Sequence, residues 1–428
     1  MTCHSSTRCF STSSDDTMAS TLSLSEQIRE AFTYQETDGI LQLAQSSSLL
    51  DHYSVEELVE ATLEATSQKG QIASILNALI GSCCVSRNPA KSLELFDAFQ
   101  DLEESHQIVP DLVTSCLVYS ALMTGDNSTG TTQQFQGDAE EILDDAIRSS
   151  KKASGSKRRK ALAATRRKPL ITSVKDVELE LQQLLGSPDV LVLDETEDYL
   201  VLNKPSGTSL YHRQTTTSGK IKKKKGKNKK KATESSDSSH SSDISLEDAL
   251  LNFNIPLSTI NSDCLGLVHR LDRGTSGTLI LAKTDHMHAL LVSEFFLRRT
   301  KKKYLTIVSP APSEDTPEKG SIDLRVQGRP AKSLYRIVER YGDDFAKLEV
   351  EILTGRKHQI RVHCGIGLSA PILWDEAYGG AQPPVQHRQP DRFFLHASEL
   401  SLPQYDVQIH APTPSWWEEV ISEQLVEK

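Results

Sequence analysis

Apolar residues recur at helical spacing from about Leu22 to Ala153. In SVEELVEATLEATSQKG, Val55, Leu58, Val59, Ala61 and Leu63 share roughly one helical face, and Ser54 stands as N-cap ahead of Glu56 and Glu57. QIASILNALIGSCCV and PAKSLELFDAFQDLEES read as a helical hairpin joined by SRNP. PDLVTSCLVYSALMTG and GDAEEILDDAIRSS form a second pair, stretched by the polar DNSTGTTQQFQG. The period then shortens. DVLVLDETEDYLVLNKPSG holds two short β-rich runs around an acidic turn, and TLILAKT, KKYLTIVSP, AKLEVEIL and HQIRVHC are further strand candidates. HMHALLVSEFFLRR between them predicts a helix. The pattern predicts an all-α helical-hairpin region followed by an α+β domain.

Two basic runs divide these parts. SSKKASGSKRRKALAATRRKP and SGKIKKKKGKNKKKATESSDSSHSSD carry too few apolar residues to fold and are expected to be disordered. The expected organisation is an N-terminal tail over 1–24, a helical repeat-like region over 25–150, a basic linker over 151–174, and the α+β domain over 175–428 with a Lys-rich insertion at 213–244. Net charge is -10, so the chain as a whole is not a basic nucleic-acid binder. Its positive charge is segregated into tracts that suit phosphate binding or a nuclear signal.

The seven cysteines show no C-x-x-C, which argues for reduced thiols. Cys83 and Cys84 fall in an apolar helical pattern, where packing is their expected role. No run approaches the ~20 apolar residues of a membrane span, so no membrane association is expected. The Ser/Thr-rich N-terminus, with Arg8 and no acid before Asp15, reads as an organelle presequence, and TRCFSTSS resembles a mitochondrial processing site.

The chemistry concentrates around LVHRLDRGTSGTLILAKT, where Asp272 lies between Arg270 and Arg273 ahead of Gly274 and Gly277. An isolated Asp-Arg-Gly is usually an ordinary turn. Here it stands among NKPSG (203–207), HRLDRGTSG (269–277), KKYLTIV (302–308), TGRKHQIRVH (354–363), PILWDEAYGG (371–380) and RFFLHASEL (392–400). In this order the segments resemble the RluA family of RNA pseudouridine synthases. The resemblance implies a mixed, mainly antiparallel sheet with flanking helices and a catalytic cleft. It also implies isomerisation of uridine to pseudouridine in tRNA or rRNA.

That reaction breaks the N1–C1′ bond, rotates the base and forms a C5–C1′ bond. No redox or phosphoryl equivalent is consumed, so no cofactor is expected. A carboxylate nucleophile suffices, attacking C1′ or C6, and the base must leave its stack to be reached. By motif position Asp272 is the nucleophile. Arg270 matches the arginine that fills the gap left by the flipped nucleotide, and Arg361 the arginine that pairs with the catalytic Asp. Ile360 matches the apolar residue under the target ring. Tyr304 matches the tyrosine that stacks on uracil and is a candidate to take the C5 proton. Asn203, Lys204, His269, Arg273, Arg356 and His358 complete the implied RNA-contacting set.

No metal is expected, since His286-x-His288 and His358 with His363 lack partners at ligand spacing. Trp416 and Trp417 are expected to pack, and the default assembly is a monomer. Three departures from the family bear on substrate choice. A helical region replaces the small RNA-binding module that often precedes this domain, the Lys-rich insertion interrupts NKPSG and HRLD, and Trp374 stands where Gly is usual. The helical pairs resemble degenerate pentatricopeptide repeats, which read single-stranded RNA; an α-helical adaptor fits the same pattern. The rival functions are a non-catalytic RNA-binding protein or RNA chaperone keeping the synthase fold, and a glycosidase that would release free uracil.

Overall fold

Helix initiation follows the local chemistry. Ser23 and Ser54 each close a reciprocal capping box, with Glu26 and Glu57, and start α1 (Leu24–Gln35) and α4 (Val55–Ala65). Between them lie α2 (Thr37–Ser46) and the single turn α3 (Leu49–His52). Asn88 caps α6 (Pro89–His106), with Pro89 in its first turn, after α5 (Lys69–Ser86). α7 (Leu112–Met123) and α8 (Gln136–Ala153) complete the region. This computed structural model describes residues 22–124, 134–153, 174–211, 244–251, 255–261, 264–389 and 391–426. The N-terminal tail, most of the basic linker and the Lys-rich insertion lie outside the described residues. Among the described residues, no helix is long and apolar enough to cross a membrane.

After α9 (Val174–Leu185) the chain forms a nine-stranded sheet: β1 (Leu191–Glu195), β2 (Tyr199–Lys204), β3 (Ser276–Ala282), β4 (Lys301–Val308), β5 (Lys319–Asp323), β6 (Lys332–Tyr341), β7 (Phe345–Ile352), β8 (Leu395–Leu402) and β9 (Val407–His410). The order is β1-β2-β3-β8-β4-β7-β6-β5, with β9 on β8. The named strands pair antiparallel except at the β3–β8 seam, which is parallel and only two residues long, Ser276 with His396 and Gly277 with Ala397. The mixed, mainly antiparallel sheet is thus two antiparallel halves joined by a short weld, and the cleft opens there.

Both faces of the central strands are covered, as period-two alternation requires. Tyr199, Val201, Ile280 and Ala282 pack under α11 (Asp285–Phe296), while Leu200, Leu202, Leu279 and Leu281 face the opposite core. That core also takes α9, α10 (Leu246–Leu251) and α13 (Ser415–Val426), with Trp416 and Trp417 buried as expected.

α11 is apolar on two sides. Met287, Leu291 and Phe295 meet the sheet, whereas Ala289 and Leu290 join the core of the helical region. Ser293 Oγ donates to the Cys116 carbonyl of α7 at 2.9 Å, and Tyr119 bonds His286. The helical region and the sheet therefore share an interior through α11.

One element differs from expectation. HQIRVHC is not a strand. His358 takes a left-handed conformation (φ 60°), and α12 (Gln359–Val362) follows, then a π-helical turn at His363–Gly367. The buried Gln359 amide decides it: its oxygen accepts from Thr354 Oγ and the Arg356 N–H, and its nitrogen donates to the Lys332 carbonyl and Ser333 Oγ. Local bonding outweighs a short alternating pattern.

Candidate active site

The loop carrying Asp272 ends at the weld, and its two glycines are needed there. A Cβ on Gly274 would lie 2.0 Å from the Asp391 carbonyl oxygen. Gly277, at φ 113°, leaves 2.2 Å between such an atom and the Ala397 carbonyl.

NKPSG clamps this loop from behind. Lys204 Nζ donates to the carbonyls of Pro205 (2.8 Å), Thr208 (3.0 Å) and Arg273 (3.1 Å). Ser206 Oγ donates to the Gly274 carbonyl at 2.7 Å, and the Gly207 N–H to that of Arg273 at 2.9 Å. Three carbonyls call for three donors, which the ammonium supplies; burial pulls its pKa down to about 7 while the Asp272 charge pulls it up. Asn203 donates to the Pro412 carbonyl at 3.3 Å. Both side chains are buried, so the expectation that Asn203 and Lys204 touch RNA is corrected. They end a strand covered on both faces and brace the loop of Asp272.

Asp272, its side chain 18% exposed, opens on a cleft of about 390 Å³ also lined by Tyr304, Ile360, Lys302 and Arg298. Tyr304 comes from β4 and Ile360 from α12, both buried. Burial, then the charge of Asp272, pushes the Tyr304 phenol pKa up, so the hydroxyl keeps its proton. His358 Nε2 stands 3.7 Å from Asp272 Oδ1, while its Nδ1 meets Tyr378 Oη at 2.7 Å. Burial lowers the His358 pKa against the pull of Asp272.

Arg361 does not pair with Asp272, contrary to expectation. Its fork closes on Asp375 through two 2.7 Å bonds, and its guanidinium lies between the rings of Tyr378 and Phe393, 4.7 and 4.6 Å from their centroids. The planar fork matches a bidentate carboxylate, and Asp375, 1% exposed, would otherwise be a lone buried charge. Arg361 still feels the Asp272 charge without bonding to it.

The remaining residues divide between lip and frame. Arg270 is exposed at the lip and donates to Tyr211 Oη at 3.4 Å. His269 lines the cleft, but its Nε2 accepts the Ile280 N–H at 3.1 Å and its ring stacks on Phe295; burial pushes its pKa down to about 3. Arg273 donates from Nε to the Gly207 carbonyl at 2.8 Å and lies 3.4 Å from Asp391. Arg356 donates to the Pro330 carbonyl and to Glu36 of the helical region, each at 2.9 Å. These bonds give His269, Arg273 and Arg356 framing parts in the cleft, while the Arg273 side chain, 35% exposed, also faces solvent.

Sequence reasoning assigned no role to Lys302, Arg298, Asp375 or Glu36. Lys302 was legible in principle, two residues from Tyr304 on one strand face; Glu36 carried no signal. A second cleft of about 690 Å³ flanks Asp272 on the side of Arg388, Arg392 and Trp374. Trp374 has φ 69°, a conformation that favours Gly. Stacking between His387 and Trp416, at 5.7 and 5.8 Å, accommodates its ring. Among the described residues, no three His, Cys, Asp or Glu side chains gather as a metal site.

Residues 198–365 match the family model described as RNA pseudouridylate synthase. The chain is 38% identical over 167 residues to an uncharacterized RNA pseudouridine synthase of Chloroflexus aurantiacus, covering 36% of this chain and 48% of that protein. It is 34% identical over 138 residues to the chloroplastic RNA pseudouridine synthase 2 of Arabidopsis thaliana, covering 27% and 31%. It is 35% identical over 150 residues to the dual-specificity RNA pseudouridine synthase RluA of Escherichia coli K12, covering 32% and 65%. The first of these alignments thus spans about half the length of its relative, and all three lie within less than two fifths of this chain.

Proposed function

We propose that this chain, whose residues 198–365 match the RNA pseudouridylate synthase family model, isomerises uridine to pseudouridine in rRNA or tRNA with Asp272 as nucleophile. The observation that carries the reading is convergence. Asp272, Tyr304 and Ile360, from a loop, a strand and a helix far apart in sequence, line one cleft. A flipped uridine in that cleft has an apolar side chain and a phenol ring as its walls and a single carboxylate within it.

In this reading Asp272 attacks C1′ or C6, the N1–C1′ bond breaks, the base turns, and C5 bonds C1′ as the bond to Asp272 breaks and frees the carboxylate. The C5 proton then leaves to restore conjugation. The Tyr304 ring stacks and its hydroxyl, protonated at rest, donates, so the C5 proton passes to the Asp272 carboxylate freed in the step before. Arg270 at the lip fills the gap left by the flipped nucleotide. Lys204 and Arg361 supply positive field around Asp272 without bonding it. The carboxylate thus keeps its lone pairs for carbon.

The test uses total RNA carrying uridine tritiated at C5. The chain should release tritium, and Asp272→Asn should abolish release while RNA affinity holds, because the amide keeps the volume and loses the nucleophile. A variant that releases tritium at the wild-type rate would remove Asp272 from the chemistry. Wild-type protein that binds RNA and releases none would leave an RNA-binding protein. We also propose an organellar, specifically mitochondrial, location. The Ser/Thr-rich N-terminus supports it, as do the chloroplastic names of the Arabidopsis and Oryza relatives for organelles in general; imaging of the tagged full chain tests it.

A further inference from the structure

A groove of about 660 Å³ runs between the first two helices and the strands that follow β4. Helices α1 and α2 form one wall with Tyr34 and Gln42; Arg325, Lys332 and Thr354 form the other. Arg298 lines both this groove and the catalytic cleft, and Thr354 is followed by Gly355 of the cleft wall, so the two are continuous.

The helical region shapes this junction with two carboxylates. Glu36 meets Arg329 and Arg356 at 2.7 and 2.9 Å, and Asp38 meets Arg298 at 3.3 Å. Glu36 sits where α1 breaks into α2, at φ 54° and ψ -131°, a strained conformation for a residue with a side chain. The break aims its carboxylate at the arginine of the cleft wall and leaves Tyr34 72% exposed. A lone exposed aromatic opposite cations is the arrangement that stacks a base while its phosphates are neutralised.

We propose that this groove binds the single-stranded RNA flanking the target uridine, with Tyr34 stacking a base and Lys332 meeting phosphates, while the exposed Arg325, tied to the Gly328 and Thr33 carbonyls at 2.6 and 3.3 Å, adds positive field beside them. The assignment rests on the pseudouridine synthase reading of the adjoining cleft and extends it. The helical region then acts as half of the RNA channel, with Gln42 offering its amide to base edges.

The test compares binding of two fluorescent oligouridylates, about four and about twelve nucleotides long, a span typical of single-strand sites. Wild-type protein should bind the longer one more tightly. The double variant Tyr34→Ala, Lys332→Glu changes two exposed side chains and should keep its melting temperature. It should lose about tenfold in affinity for the longer RNA only, with a log K against log[salt] slope shallower by ~0.7 per lost phosphate contact. Thiouridine placed in the flank should cross-link to the α1 peptide in wild-type protein. Equal affinity of the variant for the longer RNA, no length dependence in wild type, or cross-links confined to the catalytic cleft would each overturn the proposal and leave the groove to a protein partner. Tritium release is a separate readout, so failure of the isomerase reading and failure of the groove are distinguishable.

Discussion

The two halves of this molecule bury different things. Among the described residues of the helical region the buried polar side chains are neutral, such as Thr62, Asn77, Ser92 and Thr114, and the thiols Cys83, Cys84 and Cys116 behave as small hydrophobes. Burial pushes the Cys84 thiol up to about 12. The sheet domain instead buries Lys204, Glu247, Glu294, Arg361 and Asp375. Buried charge is costly unless paired, and near Asp272 it has specific partners: Lys204 on loop carbonyls and Arg361 on Asp375. The helical core buries no charged side chain among the described residues, whereas the sheet core also holds the loop that carries Asp272.

The contrast can be broken at its strongest point. Arg361→Ala leaves Asp375 buried and unpaired, so it should destabilise the chain by ~3–5 kcal/mol. It should also lower turnover at temperatures where the variant is folded, because Tyr378 and Phe393 lose the guanidinium between them. Arg361→Lys keeps the charge but not the fork, and should recover less than half of either loss. A melting curve and tritium release on both variants check this; unchanged values for Arg361→Ala would make the buried pair idle.

In the helical half the expected cost is similar in energy but different in kind. Leu79→Ala removes a fully buried side chain and should cost ~2–5 kcal/mol through the cavity left behind. Where the variant is folded, its turnover per folded molecule should match wild type. A matching loss of turnover would mean that the helical core, like the sheet core, sets the catalytic geometry.

The smallest effect sharpens the comparison at the cleft. Burial, aided by repulsion from Arg298, lowers the Lys302 pKa from 10.5 to about 8. Between these values the unfolded chain holds more protons than the folded one, so this group makes stability rise with pH from about 8 to 10.5. RNA affinity should move the other way, falling as the ammonium is lost above pH 8. Lys302→Met should flatten both dependences. An unchanged affinity profile in that variant would mean that the Lys302 ammonium has no part in binding.

Much of this was legible from residue order. Helical and strand periods and the Ser54 cap identify the two regions, because spacing and cap chemistry act within a few residues; the resemblance of the motif series grouped Asp272, Tyr304 and Ile360. Gly274 and Gly277 were legible as unusual; the Asp391, Phe393 and Ala397 atoms that require them belong to a distant segment. HMHALLVSEFFLRR was legible as a helix, and only packing decided that α11 joins the helical core to the sheet.

Charge partners were the least legible. A motif names an arginine, but its fork closes on whichever carboxylate the fold brings within 3 Å. Arg361 found Asp375, Arg356 found Glu36 more than three hundred residues away in the chain, and Lys204 found backbone carbonyls. The sequence by itself determined most of the elements, though not the helix at Gln359–Val362, and set Asp272, Tyr304 and Ile360 in one ordered series of motifs. The tertiary structure decided which of them stay open to the cleft, since hydrogen bonding and burial depend on three-dimensional neighbours that linear spacing does not encode.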